Sequence, residues 1–189
     1  MILNPIVNSE NGRSDIFSLN LENRIVLLTG EIEDEMAASV ISQLIYLDNT
    51  GTDPIDLYIN SPGGSVSAGL AIYDVIHNLN AEVNTICIGK AASMAAVILS
   101  GGTGKRWLLP HSEVMIHQPS GGVDGQATDI LITATHIESV RAVLNGILSE
   151  NCHTDRAKIE EATERDHWMR AAEALEFGIA DGVMRRSGK

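Results

Sequence analysis

Apolar residues change their spacing several times along this chain, and each change marks a predicted element. Residues 24–29 (RIVLLT) form a short β-rich run. Between 33 and 47, apolar side chains recur at Met36, Val40, Leu44 and Leu47, an interval that predicts a helix with one buried face. Asp53-Pro54 breaks the pattern, and 55–60 (IDLYIN) alternates as a strand does. Ser61-Pro-Gly-Gly64 is a tight turn leading into a helix over 65–79. A buried strand is predicted at 81–89 and a helix of small residues at 91–99. After a turn at 101–104, two short strands follow at 106–109 and 113–117. The glycine-rich stretch 120–125 fits a flexible loop or an irregular strand. A long helix is predicted at 129–150, with apolar positions at Ile130, Ala134, Ile137, Val140, Leu144 and Ile147. Shorter helices follow at 155–163 and 170–177, and 178–184 closes the chain. Residues 1–20, polar and rich in Asn and Ser, read as a loosely held arm.

Strands alternating with helices predict an α/β fold. The chain has 189 residues and shows no repeat, low-complexity tract or linker, so a single domain over 1–189 is expected. Hydrophobic residues, 44% of the chain, supply ample core. Charged residues make up 20%, below the usual quarter, which fits a chain that hides surface in an oligomer. The net charge of −12 argues against nucleic acid, whose phosphates need basic patches. Arg185-Arg186 reads as a solvated tail. Cys87, inside the apolar run 83–88, reads as a small core residue, and Cys152 follows a helical pattern beside His153. Two such cysteines give neither a disulfide framework nor metal-ligand spacing, so no metal is expected. No secretory leader and no run of transmembrane length is present, which makes a cytoplasmic location and no membrane partner the expectation.

The candidate chemistry lies in two segments, Gly89-Lys-Ala-Ala-Ser-Met-Ala-Ala96 and Val114-Met-Ile-His-Gln-Pro119. Ser93 falls where an apolar strand turns into an apolar helix. A serine hydroxyl is a poor nucleophile until a base takes its proton, and amides at a helix start can stabilise an oxyanion. The same position also suits a helix N-cap or a small packing residue, so two readings of Ser93 stand side by side. Ala91, Ala92, Ala95 and Ala96 leave room for a substrate backbone. His117 is the candidate base, because it ends an apolar strand and precedes Gln-Pro. His77, His111, His136, His153 and His167 compete with it; His136 lies in a helix, His77 near a helix end and His111 in a turn after Pro110, and a buried structural histidine is the competing reading of His117 itself. The glycines of Ser61-Pro-Gly-Gly64 permit close backbone approach to an oxyanion or peptide, though an ordinary strand-to-helix turn explains them equally. Gly101-Gly-Thr-Gly-Lys105 is not a phosphate loop, since Leu99 and Arg106 stand where that motif needs Gly and Ser or Thr. A triad also needs a carboxylate to orient the histidine, and local chemistry does not select one.

Five segments together, at 58–74, 89–96, 113–122, 125–130 and 163–181, resemble the ClpP family of serine peptidases, in order over residues 17–184. The resemblance implies a ClpP/crotonase-type α/β core with a projecting helical handle at about 125–152 and an N-terminal arm at 1–17. It implies Ser93 as nucleophile, His117 as base and Asp166, in TERDHWM, as the orienting acid. It makes the amides of Gly64 and Met94 the oxyanion hole. Gly63 and the segment Gly121, Gly122, Val123 and Gly125 are implied to bind an extended peptide substrate, by β-augmentation. Family members stack two seven-membered rings, and ATP-driven AAA+ unfoldases such as ClpX, ClpA or ClpC feed unfolded polypeptides into them. ATP is then used by the partner, and no cofactor is expected in this subunit.

Three departures from the family pattern bear on this reading. Lys90 stands where Gln is usual, Ala95 where Gly is usual, and the arm before Asp15 is shorter by a few residues. An added methyl at Ala95 is expected to shift cleft shape without loss of chemistry. The departures also motivate an alternative, a non-catalytic or regulatory paralogue subunit of mixed rings. A Ser–Lys hydrolase with Lys90 as base, and an acyl-CoA enzyme of the crotonase type, are the weaker readings. The last would not need a serine nucleophile.

Overall fold

The computed structural model describes residues 5–9 and 12–185. Its centre is a seven-stranded sheet. Strands β3 (Ile25–Thr29), β4 (Ile55–Ser61), β5 (Val83–Ala92), β6 (Arg106–Leu108) and β9 (Gly182–Val183) run parallel in that order. The long strand β5 is shared by two neighbours. Its Thr85–Cys87 stretch pairs with β6, and further on Lys90, Ala91 and Ala92 pair in parallel with Glu113, Val114 and Met115 of β7 (Glu113–Ile116). Strand β8 (His167–Arg170) then pairs antiparallel with β7.

Alternation explains β4, whose Ile55, Leu57, Ile59 and Ser61 all point into the core. Helix α2 (Asp34–Thr50) buries Ala37, Val40, Leu44 and Leu47, the stripe that its spacing predicted. Helix α3 (Val66–Asn78) buries Ala68, Gly69, Ile72 and Ile76. Gly69 lets α3 close on the next helix, because a Cβ there would lie 2.6 Å from Met94 Cε and 3.1 Å from Met94 Cβ. That helix, α4 (Met94–Ser100), is buried along its whole length, which accounts for its run of small and aliphatic residues. One contiguous apolar cluster runs from Val26 to Ala180.

Helix α5 (Ala127–Cys152) behaves differently along its length. Only Leu144, Asn145, Leu148 and Cys152 are buried, while Ile130, Leu131 and Ile132 near its start are exposed. Its first half therefore projects from the core as a handle. Helices α6 (Arg156–Thr163) and α7 (Ala171–Phe177) follow it. No helix among the described residues is long and apolar enough to cross a membrane.

The structure departs from the sequence pattern in three places. The expected loose arm contains a two-stranded antiparallel pair, β1 (Ile6–Ser9) with β2 (Gly12–Asp15), and helix α1 (Ile16–Glu22). Asp15 starts that helix by accepting the amides of Phe17 and Ser18. Ala91 and Ala92, expected in a helix, finish β5 because β7 is there to pair with them. Strand β8 has no counterpart in the expected elements. Of the two forms expected for 120–125, the structure shows the loop, exposed and without strand pairing. Of the expected basic tail, Arg186 lies outside the described residues.

Candidate active site

Strand pairing brings the candidate residues together. Ser93 follows the last pair of the β5–β7 ladder, and its amide still donates to Met115 O at 2.8 Å. On the other side of β7 the antiparallel register ends at Ile116↔His167. One step further, that register sets His117 opposite Asp166. Thus Ser93 leaves the end of β5, His117 leaves the end of β7, and Asp166 precedes the start of β8. Three adjacent strand ends carry three side chains, although 73 positions separate Ser93 from Asp166 in the numbering.

The contacts are direct. Ser93 Oγ lies 2.9 Å from His117 Nε2, and His117 Nδ1 lies 3.1 Å from Asp166 Oδ1. A carboxylate only accepts, so Nδ1 carries the proton donated to Asp166, and Nε2 is left to accept from the serine hydroxyl. His117 is largely enclosed, with 26% of its side chain exposed, whereas Asp166 keeps 62% open to solvent.

Ser93 occupies a conformation that a side chain rarely adopts, with φ 56° and ψ −126°. Such a position costs roughly 1–3 kcal/mol and is tolerated where neighbours over-determine it. Here the amide is held by Met115, and the carbonyl accepts from Ala96 N at 2.9 Å. The sharp turn throws the hydroxyl outward from the helix start. Ser93 does sit at the N-cap position, but its side chain makes no capping bond. Side-chain capping is therefore excluded by geometry.

Met94 N–H is the first amide of α4 and has no intrahelical acceptor. The glycine turn packs over it. A Cβ on Gly63 would lie 2.6 Å from Ala92 O, 2.7 Å from Ser93 Cβ and 3.1 Å from Met94 N, at a φ of +90°. A Cβ on Gly64 would strike the backbone of Ile32. The turn is held by Ile32 N donating to Gly63 O, by Ser65 N donating to Ile32 O, both 2.8 Å, and by Gly63 N donating to Ser61 Oγ at 3.0 Å. Gly63 is thus packed against Ser93, and Gly64 against Ile32.

An apolar pocket opens beside Ser93 and His117, walled by Val66, Val97, Ile116, Pro119, Leu144 and Leu148. Its outer wall is the short buried part of α5. Gly121, Gly122, Val123 and Gly125 lie in the exposed loop between His117 and α5, with Gly125 at φ 156°. Ala95 is wholly buried in the core cluster and is not among the residues that line the pocket, so the expected change of cleft shape finds no support. Lys90 is exposed and stands in register with Glu113, while the contact of Ser93 Oγ is His117. The other histidines serve elsewhere: His77 stacks on Tyr73 at 4.2 Å, His153 ends α5, and His167 packs against Phe177. Among the described residues no group of three His, Cys, Asp or Glu is placed to hold a metal ion.

Sequence reasoning gave no role to Gln118, which bonds the loop carrying Asp166. Its only signal was its place between the candidate base and Pro119.

A serine, an imidazole and a carboxylate in mutual contact beside an apolar pocket define a serine hydrolase arrangement. Comparison with known proteins narrows the class. The Clp protease family matches residues 8–187. A curated relative from Ligilactobacillus salivarius (strain UCC118), the ATP-dependent Clp protease proteolytic subunit, is 50% identical over 177 residues, 93% of this chain and 90% of the relative. The chain belongs to the Clp protease family and is a serine-type peptidase.

Proposed function

We propose that this chain is the proteolytic subunit of a chambered, ATP-dependent protease, cutting unfolded polypeptides through an acyl-enzyme on Ser93. The observation that carries the reading is the unbroken contact from Ser93 Oγ through His117 to Asp166. His117 takes the hydroxyl proton as Ser93 attacks a peptide carbonyl. Asp166 holds the imidazole tautomer and stabilises its charged form. The amides of Gly64 and Met94 receive the oxyanion, each worth roughly 10²–10³-fold in rate when well placed. His117 then protonates the leaving amine, and water activated by the same imidazole hydrolyses the acyl-enzyme. Residues 121–125, unpaired in this chain, supply an edge to which an extended peptide adds as a strand, beside Gly63.

The reading includes a single peptidase domain over 1–189, two stacked heptameric rings and a cytoplasmic setting. An AAA+ unfoldase spends the ATP. Enclosure in a chamber supplies the selectivity that an exposed triad lacks. The alternative, a non-catalytic subunit of mixed rings, rests on Lys90 and Ala95, and the assembled triad weighs against it.

Cleavage of a short fluorogenic peptide by the purified chain, with light scattering on the same sample, tests the proposal. Activity in a particle of two-ring mass, lost in Ser93→Ala together with fluorophosphonate labelling, is expected. Labelling that persists in Ser93→Ala would remove the assignment. An intact ring that cleaves nothing would favour the regulatory subunit.

A further inference from the structure

We infer that Gln118 is a positioning residue for the triad, clamping the end of α6 so that Asp166 stays opposite His117. The inference rests on the proposed roles of Ser93, His117 and Asp166. The only side-chain hydrogen bond of Asp166 among the described residues is the one to His117, and its carboxylate is mostly exposed. Its position is therefore set by its backbone. Asp166 lies between α6, which ends at Thr163, and β8, which begins at His167. Residues 164–166 belong to neither.

Gln118 grips that connection twice. Its amide donates to Thr163 O at 2.6 Å, and its side-chain Nε2 donates to Glu164 O at 2.9 Å. These two carbonyls stand at the C-terminal end of α6, where carbonyls have no intrahelical donor. Gln118 thus supplies, from another element, the donors that a helix end otherwise takes from water. Pro119 restricts the backbone of the preceding residue, Gln118, to extended conformations. Thr163 is itself wholly buried, with Oγ1 donating to Ile159 O at 2.8 Å. Arg141 of α5 holds the Glu164 carboxylate from outside at 2.9 Å. The peptide next to the base is in this way bonded to the peptides just before the acid. A shift of β7 carries both groups together.

The side-chain bond can be removed alone. Gln118→Met keeps length and the backbone donor but loses Nε2. With the assembled particle and a short peptide substrate, we expect kcat to fall roughly tenfold to 10²-fold, the scale of a misplacement near 1 Å, with KM within about twofold. The deciding readout is a cycle with Asp166→Asn, followed by the rate of Ser93 labelling with a fluorophosphonate. If Gln118 acts through Asp166, Gln118→Met causes no further loss in the Asp166→Asn background. Equal losses in both backgrounds, or no loss in the native one, would overturn the inference. Gln118→Glu, of equal length and without a donor at neutral pH, repeats the test should the methionine variant fail to assemble. Cleavage that survives Ser93→Ala would instead remove the proposed function. The two failures are thereby distinguishable.

Discussion

Ser93 shows how a backbone conformation unfavourable for a side chain can bring that side chain against an imidazole. Its positive φ opposes the preference of every side chain, yet it alone turns the hydroxyl from the helix start toward His117. At this scale Asp166→Asn is expected to lower kcat by about 10²–10⁴-fold with little change in KM, because asparagine can present its amide and favour the wrong imidazole tautomer. Steady-state kinetics with a fluorogenic peptide checks this. Gly63 is the complementary case. Gly63→Ala places a methyl against Ala92 O and Ser93 Cβ at a φ of +90°, so something must move. The expected outcome is a loss of activity together with destabilisation of at least about 1–3 kcal/mol, measured by denaturant unfolding. Full retention of both would show that the turn relaxes freely.

Elements act here through their ends and their closeness. Strand β5 is long enough to pair first with β6 and then with β7, and the second pairing converts two helix-favouring alanines into strand. Intrinsic propensity lost to available hydrogen-bond partners, as it often does. The short ladder between β7 and β8 then fixes His117 against Asp166 through its register. Helix α3 approaches α4 only because Gly69 lacks a side chain. Gly69→Ala is expected to cost roughly 1–3 kcal/mol by overpacking against Met94. The nearest obstacle is the flexible Met94 Cε, so thermal unfolding should fall while the protein still folds.

Across the whole molecule, Arg106 joins parts that are far apart in sequence. Its guanidinium donates to the carbonyls of Asn151 at 2.7 Å and Gly178 at 3.2 Å, near the ends of α5 and α7, and more weakly to Ser100 at the end of α4. It also pairs with Asp181 at 2.6 Å. Arg106→Met leaves these acceptors without their donor, and a loss on the order of 3 kcal/mol is expected in denaturant unfolding. Burial alone would raise the Asp181 carboxyl, but the hydrogen bonds and charge of Arg106 outweigh it and hold it below 3.8. A carboxyl depressed in the fold adds stability above its unfolded value and loses it as pH falls through the folded one. Stability measured from about pH 5 down to about pH 2 should therefore decline less steeply in Asp181→Asn than in the native chain.

The residue pattern alone determined the α/β class, most helices and strands within a few residues, and the candidates Ser93 and His117. Period and turn chemistry are local, and these elements obey them. Resemblance, rather than local chemistry, singled out Asp166 among the many acidic residues. Strand β8 escaped notice because His167–Arg170 is too short for alternation to register, and the paired strands of the N-terminal arm because a largely polar stretch carries no period. What only the tertiary structure decided was convergence. Which strand end meets which, whether Ser93 caps a helix or faces an imidazole, and that Gln118 holds the acid's loop all depend on hydrogen-bond register between segments distant in sequence. Hydrophobic period says which face of an element is buried, and it says nothing about which partner will lie beside it.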